Sequence, residues 1–288
     1  LAEFFLLQKR IAQLAEGSQA WLKRVDSDGR LRHTIVSGGT VSGRASHRNP
    51  NLGQVTGNNS LYGKEMRSLF GVPPGWTLVG ADLEQLELRC LAHYLPDDGE
   101  YARQIQEGDI HQYNADATGL SRVKAKTFIY AVTYGGGNQL IGNIVGGGVK
   151  EGAKLKAEFN KNVPAYKLLQ DQLINAYSRG YLIGLDGRKL FVRSEHKCLS
   201  QLLQSAGALL SKRWLSLVYH EIKQQQLDSY IIGWIHDELQ IACPNTEEAT
   251  HVGALSQRLS EEAGKAFGFS KVAITSQYQL GRNWSDTH

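Results

Sequence analysis

Apolar and polar positions recur along this chain with two different periods, and the places where the period changes mark out its elements. "LAEFFLLQKRIAQLAEG" (residues 1–17) has the spacing of a short amphipathic helix, with acidic and basic residues inside it. A signal peptide would have an uncharged apolar centre, so that reading is rejected. From Gly38 to Gly63 the chain is rich in Gly, Ser, Asn and Thr and reads as an ordered loop region. "WTLVGAD" reads as a buried strand ending at Asp82, and "LEQLELRCLAHYL" follows with helical spacing. Residues 121–134 read as a helix stopped abruptly by Gly135, Gly136 and Gly137.

"GYLIGLDGRKLFV" reads as a β-hairpin that turns at Asp186-Gly187. Apolar residues at 202, 203, 206, 209, 210, 214, 217 and 218 predict a long helix over residues 201–225. Tyr230 to Ile235 and Glu238 to Cys243 read as two strands joined at His236-Asp237, and a last helix is expected from near Thr246 to Phe267. Helices crowd the middle and the best strands lie on either side of it. The expected fold class is therefore α+β, with a sheet assembled from both ends of the chain and a helical insertion between.

Composition narrows this picture only a little. A chain of 288 residues forms one large domain or two modest ones, and 41 % hydrophobic content supports a real core. No run of about 18 apolar residues occurs, so no membrane span is expected. Cys90, Cys198 and Cys243 are too few and too scattered for a disulfide framework or a zinc site, which points to a reducing compartment. The chain does not begin with Met, the mark of a fragment or a processed product. The net charge of +4 says less than its placement. Arg24, Arg30, Arg32, Arg44 and Arg48 crowd the first fifty residues, and Arg122, Lys124 and Lys126 lie within one and a half helical turns. Clusters of this kind suit a polyanion or simply a solvated surface.

Three stretches carry candidate chemistry. In "IIGWIHDELQIAC" (Ile231–Cys243) an apolar run is broken by His236, Asp237 and Glu238 and then resumes. An exposed hairpin turn explains the Asp without any function. Asp82 also ends an apolar strand, where capping the next helix would be its plain structural role. If both strands belong to one sheet, however, Asp82 and Asp237 converge at one edge. Two carboxylates about 4 Å apart repel by about 4 kcal/mol at an effective dielectric of 20, so a cation between them becomes nearly obligatory. Hard carboxylate oxygens select Mg²⁺ or Mn²⁺ over zinc, and paired ions suit in-line displacement at phosphorus. The third stretch is "SRVKAKTFIYAVTYGGG", where Arg122, Lys126, Tyr130 and Tyr134 fall four apart on one helical face. Two cations followed by two aromatics make a phosphate-binding end and a base-stacking end. An amphipathic helix with snorkelling cations is the alternative, but Ala125, Ile129 and Val132 supply a separate apolar face.

In this order the pieces resemble the polymerase region of family A DNA polymerases, the DNA polymerase I family. "GADLEQLELR" is similar to that family's motif A, "RVKAKTFIYAVTYG" to motif B and "HDELQ" to motif C. "SGRASHRNPNLGQV" resembles the primer–template contact segment and "LLQSAGALL" a motif on a palm helix. "ELRCLAHY", "GDIH", "KTFIY", "GLDGRK" and the ending "GRNW…H" bring the resemblance closest to the short-tailed-phage branch, over essentially the whole chain.

The resemblance implies a right-hand polymerase palm, an antiparallel sheet with flanking helices, plus mainly helical fingers. Residues 1–95 and 200–288 would form the palm and 96–199 the fingers. Asp82 and Asp237, with the Leu83 backbone carbonyl, would hold two Mg²⁺ ions (Mn²⁺ can substitute), and Glu238 would complete the catalytic carboxylates. His111, Arg122 and Lys126 would bind the triphosphate of the incoming dNTP. Tyr130 would pack on its sugar and base, and Glu87 would exclude a 2′-hydroxyl. Tyr134 would stack at the template base, while Arg44, Gln54, Gln204 and His236 would contact template and primer. The implied partners are primed DNA and dNTPs in the cytoplasm of an infected bacterial host. The exonuclease and thumb domains would lie outside this chain, and with the thumb any processivity-factor site.

The sequence departs from the family pattern at three places. Leu83-Glu84 replaces the usual Tyr-Ser, which puts one more carboxylate near the metals. Ser200 stands where Asn is common, weakening a minor-groove role there. Tyr130 stands where many relatives have Phe, which in the family implies weaker rejection of nucleotides lacking a 3′-hydroxyl. Three other readings compete. A two-metal nuclease leaves the Arg122–Tyr134 face without purpose, and Glu87 argues against an RNA polymerase. A catalytically silent nucleic-acid-binding piece is the third.

Overall fold

A computed structural model describes residues 1–288. Helix α1 (Ala2–Ile11) opens the chain and runs into a π-helical turn at Ala12–Glu16. Strands β1 (Thr34–Val36) and β2 (Ser46–Arg48) pair antiparallel, and helix α2 (Gly63–Ser68) follows. Strand β3 (Thr77–Leu83) leads into α3 (Leu86–Tyr94), α4 (Glu100–Gln106), α5 (Ile110–Thr118) and α6 (Arg122–Thr133). Next come α7 (Asn138–Ile144), α8 (Val149–Asn162), α9 (Pro164–Tyr177) and a short hairpin of β4 (Leu182–Ile183) and β5 (Lys189–Leu190). Helix α10 (Cys198–Gln224), strands β6 (Tyr230–Ile235) and β7 (Glu238–Cys243), helix α11 (Thr246–Lys265) and strand β8 (Ser276–Gly281) complete the chain. The class is α+β, as the patterning predicts.

Two compact units divide these elements. The first takes residues 1–84, 211–260 and 275–288. Its centre is a four-stranded antiparallel sheet in the order β6-β7-β3-β8. Every residue of β7 is buried, and β3 is buried along most of its length, which is why both read as near-continuous apolar runs. Edge strand β6 leaves Tyr230 and Ile232 exposed. Gly80 in β3 is dictated by close approach: a Cβ there would lie 2.5 Å from the Thr287 carbonyl oxygen. Trp214 on α10 donates its indole N–H to the Ser256 carbonyl of α11 at 2.8 Å, tying the two helices together. A second cluster of Trp21, Leu52, Val55, Met66 and Trp284 anchors the loop-rich segment. Helix α1 buries no residue at all.

The second unit takes residues 85–210 and 261–274 and is helical apart from the β4–β5 hairpin. Helix α6 buries Ala125, Phe128, Ile129 and Val132, the i, i+3, i+4, i+7 stripe of an amphipathic helix. Phe128 packs edge-on against Phe159 of α8, which packs in the same way against Tyr166 of α9. Helix α9 starts with Pro164, whose missing N–H costs nothing in a first turn. Helix α6 ends at the glycine turn. Gly135 has φ +78°, and a Cβ on it would lie 2.5 Å from the His196 carbonyl oxygen. Lys156 donates from Nζ to the Gly136 carbonyl at 2.6 Å and fixes the turn from α8.

Three local expectations are corrected. Asp82 lies inside β3, while the cap position of α3 is Gln85, so Asp82 does not cap that helix. Tyr134 is the residue just past α6, so the four-residue face is helical only as far as Tyr130. The stretch read as loop contains β2, which pairs with β1 just before it, and strands of three residues are too short to leave a period in the sequence.

Candidate active site

The register of the first unit brings the motif carboxylates to one end of its sheet. Asp82 of β3 stands opposite Glu238 of β7, and the Leu83 N–H donates to the Asp237 carbonyl at 3.1 Å. Both aspartates are half-buried. Glu238 is only 5 % exposed. Its Oε1 accepts from Trp284 Nε1 and from Gln240 Nε2, each at 2.5 Å, and His288 Nδ1 lies 3.5 Å from its Oε2.

Behind these carboxylates sits a charge that the motifs do not announce. Arg67 is buried, lies 4.7 Å above the Trp284 ring and donates from Nε to the Thr56 carbonyl at 3.1 Å. Burial pushes its pKa down, and the charges of Glu238 and Asp82 oppose that shift. A guanidinium stays protonated in such a place, so the acid cluster has a resident counter-charge. Glu84, the extra carboxylate after motif A, has a local partner. Thr275 donates from Oγ1 to Glu84 Oε2 at 2.8 Å, and the Glu84 N–H donates to the Thr275 carbonyl at 2.9 Å.

Strands β6 and β7 join through the two-residue turn His236–Asp237, with Ile235 paired to Glu238. His236 has φ +59°, a left-handed value that few non-glycine residues adopt. Its ring stands edge-on to that of His47 in β2 at 6.0 Å, and His47 stacks on His33 at 5.3 Å. His47 is only 6 % exposed, and neither ring nitrogen has a hydrogen-bond partner. Burial first, and then the charges of His33 and His236, push its pKa down to about 4. Gly53 makes room for this ring, since a Cβ there would lie 2.9 Å from His47 Cδ2. The same segment carries the other two primer–template candidates of this unit. Arg44 is half-buried beside Gly43, whose carbonyl accepts from Lys212 Nζ at 2.7 Å. Gln54 is exposed at the end of a 3₁₀ turn.

The second unit gathers the nucleotide-binding candidates on α5 and α6. Asp109 caps α5, accepting from the N–H groups of His111 at 3.0 Å and Gln112 at 3.1 Å. The same carboxylate takes a two-point contact from Arg122, Nε to Oδ2 at 2.7 Å and a terminal nitrogen to Oδ1 at 3.2 Å. Arg122 is the main reason the Asp109 pKa falls to about 2. The buried His111 ring lies 6.3 Å from that of Tyr130, and its Nδ1 has no partner. Burial pushes its pKa down, helped by the charges of Lys126 and Arg122. Lys126 is exposed one turn after Arg122. Tyr134 donates from Oη to Glu87 Oε1 at 2.7 Å. Gln204 is half-buried on α10, away from this cluster in sequence, and Ser200 donates to the Lys197 carbonyl at 3.1 Å.

Asp109, Arg67, Trp284, His33 and His47 were not singled out as site residues by sequence reasoning. Asp109 carries a signal as the acidic residue of "GDIH", and His47 and Trp284 lie inside "SGRASHRNPNLGQV" and "GRNW…H", while Arg67 and His33 stand in no such stretch. No group of three or more His, Cys, Asp or Glu side chains is arranged to hold a metal ion. Two aspartates at one end of the sheet offer instead a sparse, hard oxygen set. Such a set fits Mg²⁺, which keeps waters and takes substrate phosphates in place of a full protein cage.

Comparison with known proteins identifies the family and the fold. Residues 2–286 match the family model described as DNA polymerase family A. A DNA-directed DNA polymerase of Enterobacteria phage T3 is 38 % identical over 100 % of this chain and 45 % of its own length. That of Escherichia phage T7 is likewise 38 % identical, again over 45 % of its own length. DNA polymerase I of Caldicellulosiruptor bescii is 28 % identical, over 91 % of this chain and 33 % of its own. Among solved structures, the POL domain of Pol1 from M. smegmatis, in complex with DNA primer-template and dNTP, superimposes with a TM-score of 0.86 at 22 % identity. It covers 98 % of this chain and 53 % of that one and shows the shared fold. The chain thus spans about half the length of the phage relatives it matches.

Proposed function

The chain belongs to DNA polymerase family A, and on that premise we propose that it carries out template-directed DNA synthesis, adding deoxynucleotides to a primer 3′-hydroxyl. The observation that carries this reading is the Leu83 N–H···O=C Asp237 bond, which brings the strand ends bearing Asp82 and Asp237 side by side. Asp82, Asp237 and the Leu83 carbonyl would hold two Mg²⁺ ions, or Mn²⁺ in their place. Those ions would supply positive charge that favours ionisation of the 3′-hydroxyl and offsets charge on the departing pyrophosphate.

The remaining work falls to side chains. The primer 3′-oxygen forms a bond to the α-phosphorus, the bond to the bridging oxygen breaks, and pyrophosphate leaves. Arg122, Lys126 and His111 bind the triphosphate, offsetting its charge without covalent chemistry. Tyr130 packs on the sugar and base of the dNTP, and Glu87 closes the space a 2′-hydroxyl would need. Tyr134 stacks at the template base. Arg44 and Gln204 reach the minor groove near the primer terminus, where acceptors are alike whatever the sequence, Gln54 contacts template or primer, and His236 contacts the terminal nucleotide. Glu238, buried and doubly hydrogen-bonded, acts from behind the aspartates. In this reading residues 1–95 and 200–288 are palm and 96–199 fingers. The phage origin of the relatives at 38 % identity is what supports an infected bacterial cytoplasm as the setting. The M. smegmatis POL domain, solved with DNA primer-template and dNTP, supports primed DNA and dNTPs as the partners.

Primer extension with Mg²⁺ and the four dNTPs tests the reading against Asp237→Ala. Extension by the parent and none by the variant is expected, with no cleavage of DNA when dNTPs are withheld. Cleavage without dNTPs would favour the nuclease, and ribonucleotides used as readily as deoxynucleotides would favour an RNA polymerase. If the folded parent gives no extension, even when fused to the preceding segment of a phage relative, the reading fails.

A further inference from the structure

The turn that presents Asp237 is fixed at both of its carbonyls, by different elements. The Asp237 carbonyl accepts from Leu83 of β3. The His236 carbonyl accepts from Ser211 Oγ of α10 at 2.5 Å and from Trp234 Nε1 of β6 at 3.1 Å. Trp234 Nε1 also donates to Ser211 Oγ at 2.8 Å, which closes a triangle of serine, indole and carbonyl. Ser211 is 1 % exposed and Trp234 6 %, so little water competes for these bonds.

Resting on the polymerase reading above, we propose that Ser211 and Trp234 are positioning residues of the catalytic turn. By clamping the His236 carbonyl they fix the direction in which Asp237 offers its carboxylate to a divalent cation. The serine hydroxyl has one proton to give. In a helix it commonly goes to the carbonyl one turn back, but here it goes to the turn of another element. The receiving residue needs such a hold, because a left-handed histidine persists only where its surroundings over-determine it. Ser211 lies on the buried face of α10, between Leu210 and Trp214, where a residue serving only packing would be apolar. The alternative is that these bonds do no more than satisfy a buried indole. That role would affect stability and leave cation binding alone.

Mn²⁺ binding to the 288-residue chain, followed by electron paramagnetic resonance, separates the two. Thermal melts alongside show that each variant is folded, and Asp237→Ala serves as the reference for the site itself. Ser211→Ala should weaken Mn²⁺ binding about tenfold, the usual cost of losing a partner behind a metal ligand. Amide hydrogen exchange at residues 235–238 should quicken in the same variant. Trp234→Phe should act in the same direction, and Ser211→Thr, which keeps the hydroxyl, should restore both readouts. The proposal is overturned if Ser211→Ala and Trp234→Phe bind Mn²⁺ like the parent while Asp237→Ala does not. If Asp237→Ala also binds like the parent, the metal site itself is misassigned, and this proposal goes with it.

Discussion

The hydroxyl of Tyr134 is hydrogen-bonded to the carboxylate of Glu87 at 2.7 Å. The polymerase reading gives these residues different tasks, stacking at the template and excluding a 2′-hydroxyl, yet one bond couples them. A carboxylate held by this bond is a stiffer barrier than one that lacks it.

Tyr134→Phe keeps the ring and removes this hydrogen bond to Glu87. It should therefore relax sugar selection more than it slows deoxynucleotide addition. A hydrogen bond to a charged group contributes about 1.5–3 kcal/mol, so the ratio of kcat/KM for dNTP over rNTP should fall about tenfold. An unchanged ratio with a lower kcat for both would show that the bond serves the template side alone.

Asp109 has two roles that one substitution separates. Asn in its place still caps α5, since both residue types accept from the first-turn N–H groups. It loses the ionic hold on Arg122. Asp109→Asn should leave the melting temperature close to the parent's and raise the KM for dNTP several-fold, with a smaller effect on kcat. The pairing holds the carboxylate at about 2. Its contribution is thus complete above the ordinary carboxylate value near 4 and is lost only as pH falls towards 2. Steady-state kinetics from pH 6 to 9 should show no inflection from this pair.

How legible these features were depends on how local their causes are. Strands β6 and β7 and the turn between them were readable because both strands pattern strongly and Asp237 sits where turn chemistry puts it. Helix α6 was readable because its apolar stripe and its glycine stop are adjacent in sequence. Strand β8 was not, since "SQYQLG" is a mostly polar edge that becomes a strand only by pairing with β3. The pairing of His47 with His236 across 189 positions leaves no periodic trace, and neither does Arg67 behind the carboxylates. Motifs marked the carboxylates and the face of α6, and packing revealed Arg67 and the His33–His47 stack beside the turn.

Tyr130 bears on nucleotides that lack a 3′-hydroxyl. If its phenol stands in for the missing group, Tyr130→Phe removes a polar contact that only dideoxynucleotides need. Dideoxynucleotide incorporation should fall about tenfold or more relative to the parent on the same template, with normal dNTP addition little changed. Equal incorporation by both proteins would sink this role.

His47 makes stability depend on mild acid. In the folded chain its pKa lies at about 4, well below the ordinary histidine value of 6.5, because the ring is buried and faces His33 and His236. Between those two values the unfolded chain binds a proton that the folded chain does not, so stability rises with pH across the window. The contribution is complete above about 6.5 and is lost as pH falls towards 4, amounting to about 1–3 kcal/mol. His47→Phe keeps a ring on Gly53 and against His33, and it gives up two nitrogens that have no partner. Urea unfolding at pH 5 and pH 8 should therefore show a smaller loss for the variant than for the parent. The variant should be the more stable of the two at pH 5 and close to the parent at pH 8. The same loss in both proteins would mean that the proton taken up on unfolding belongs to another buried histidine, with His93 and His111, both pushed down by burial, the next to replace.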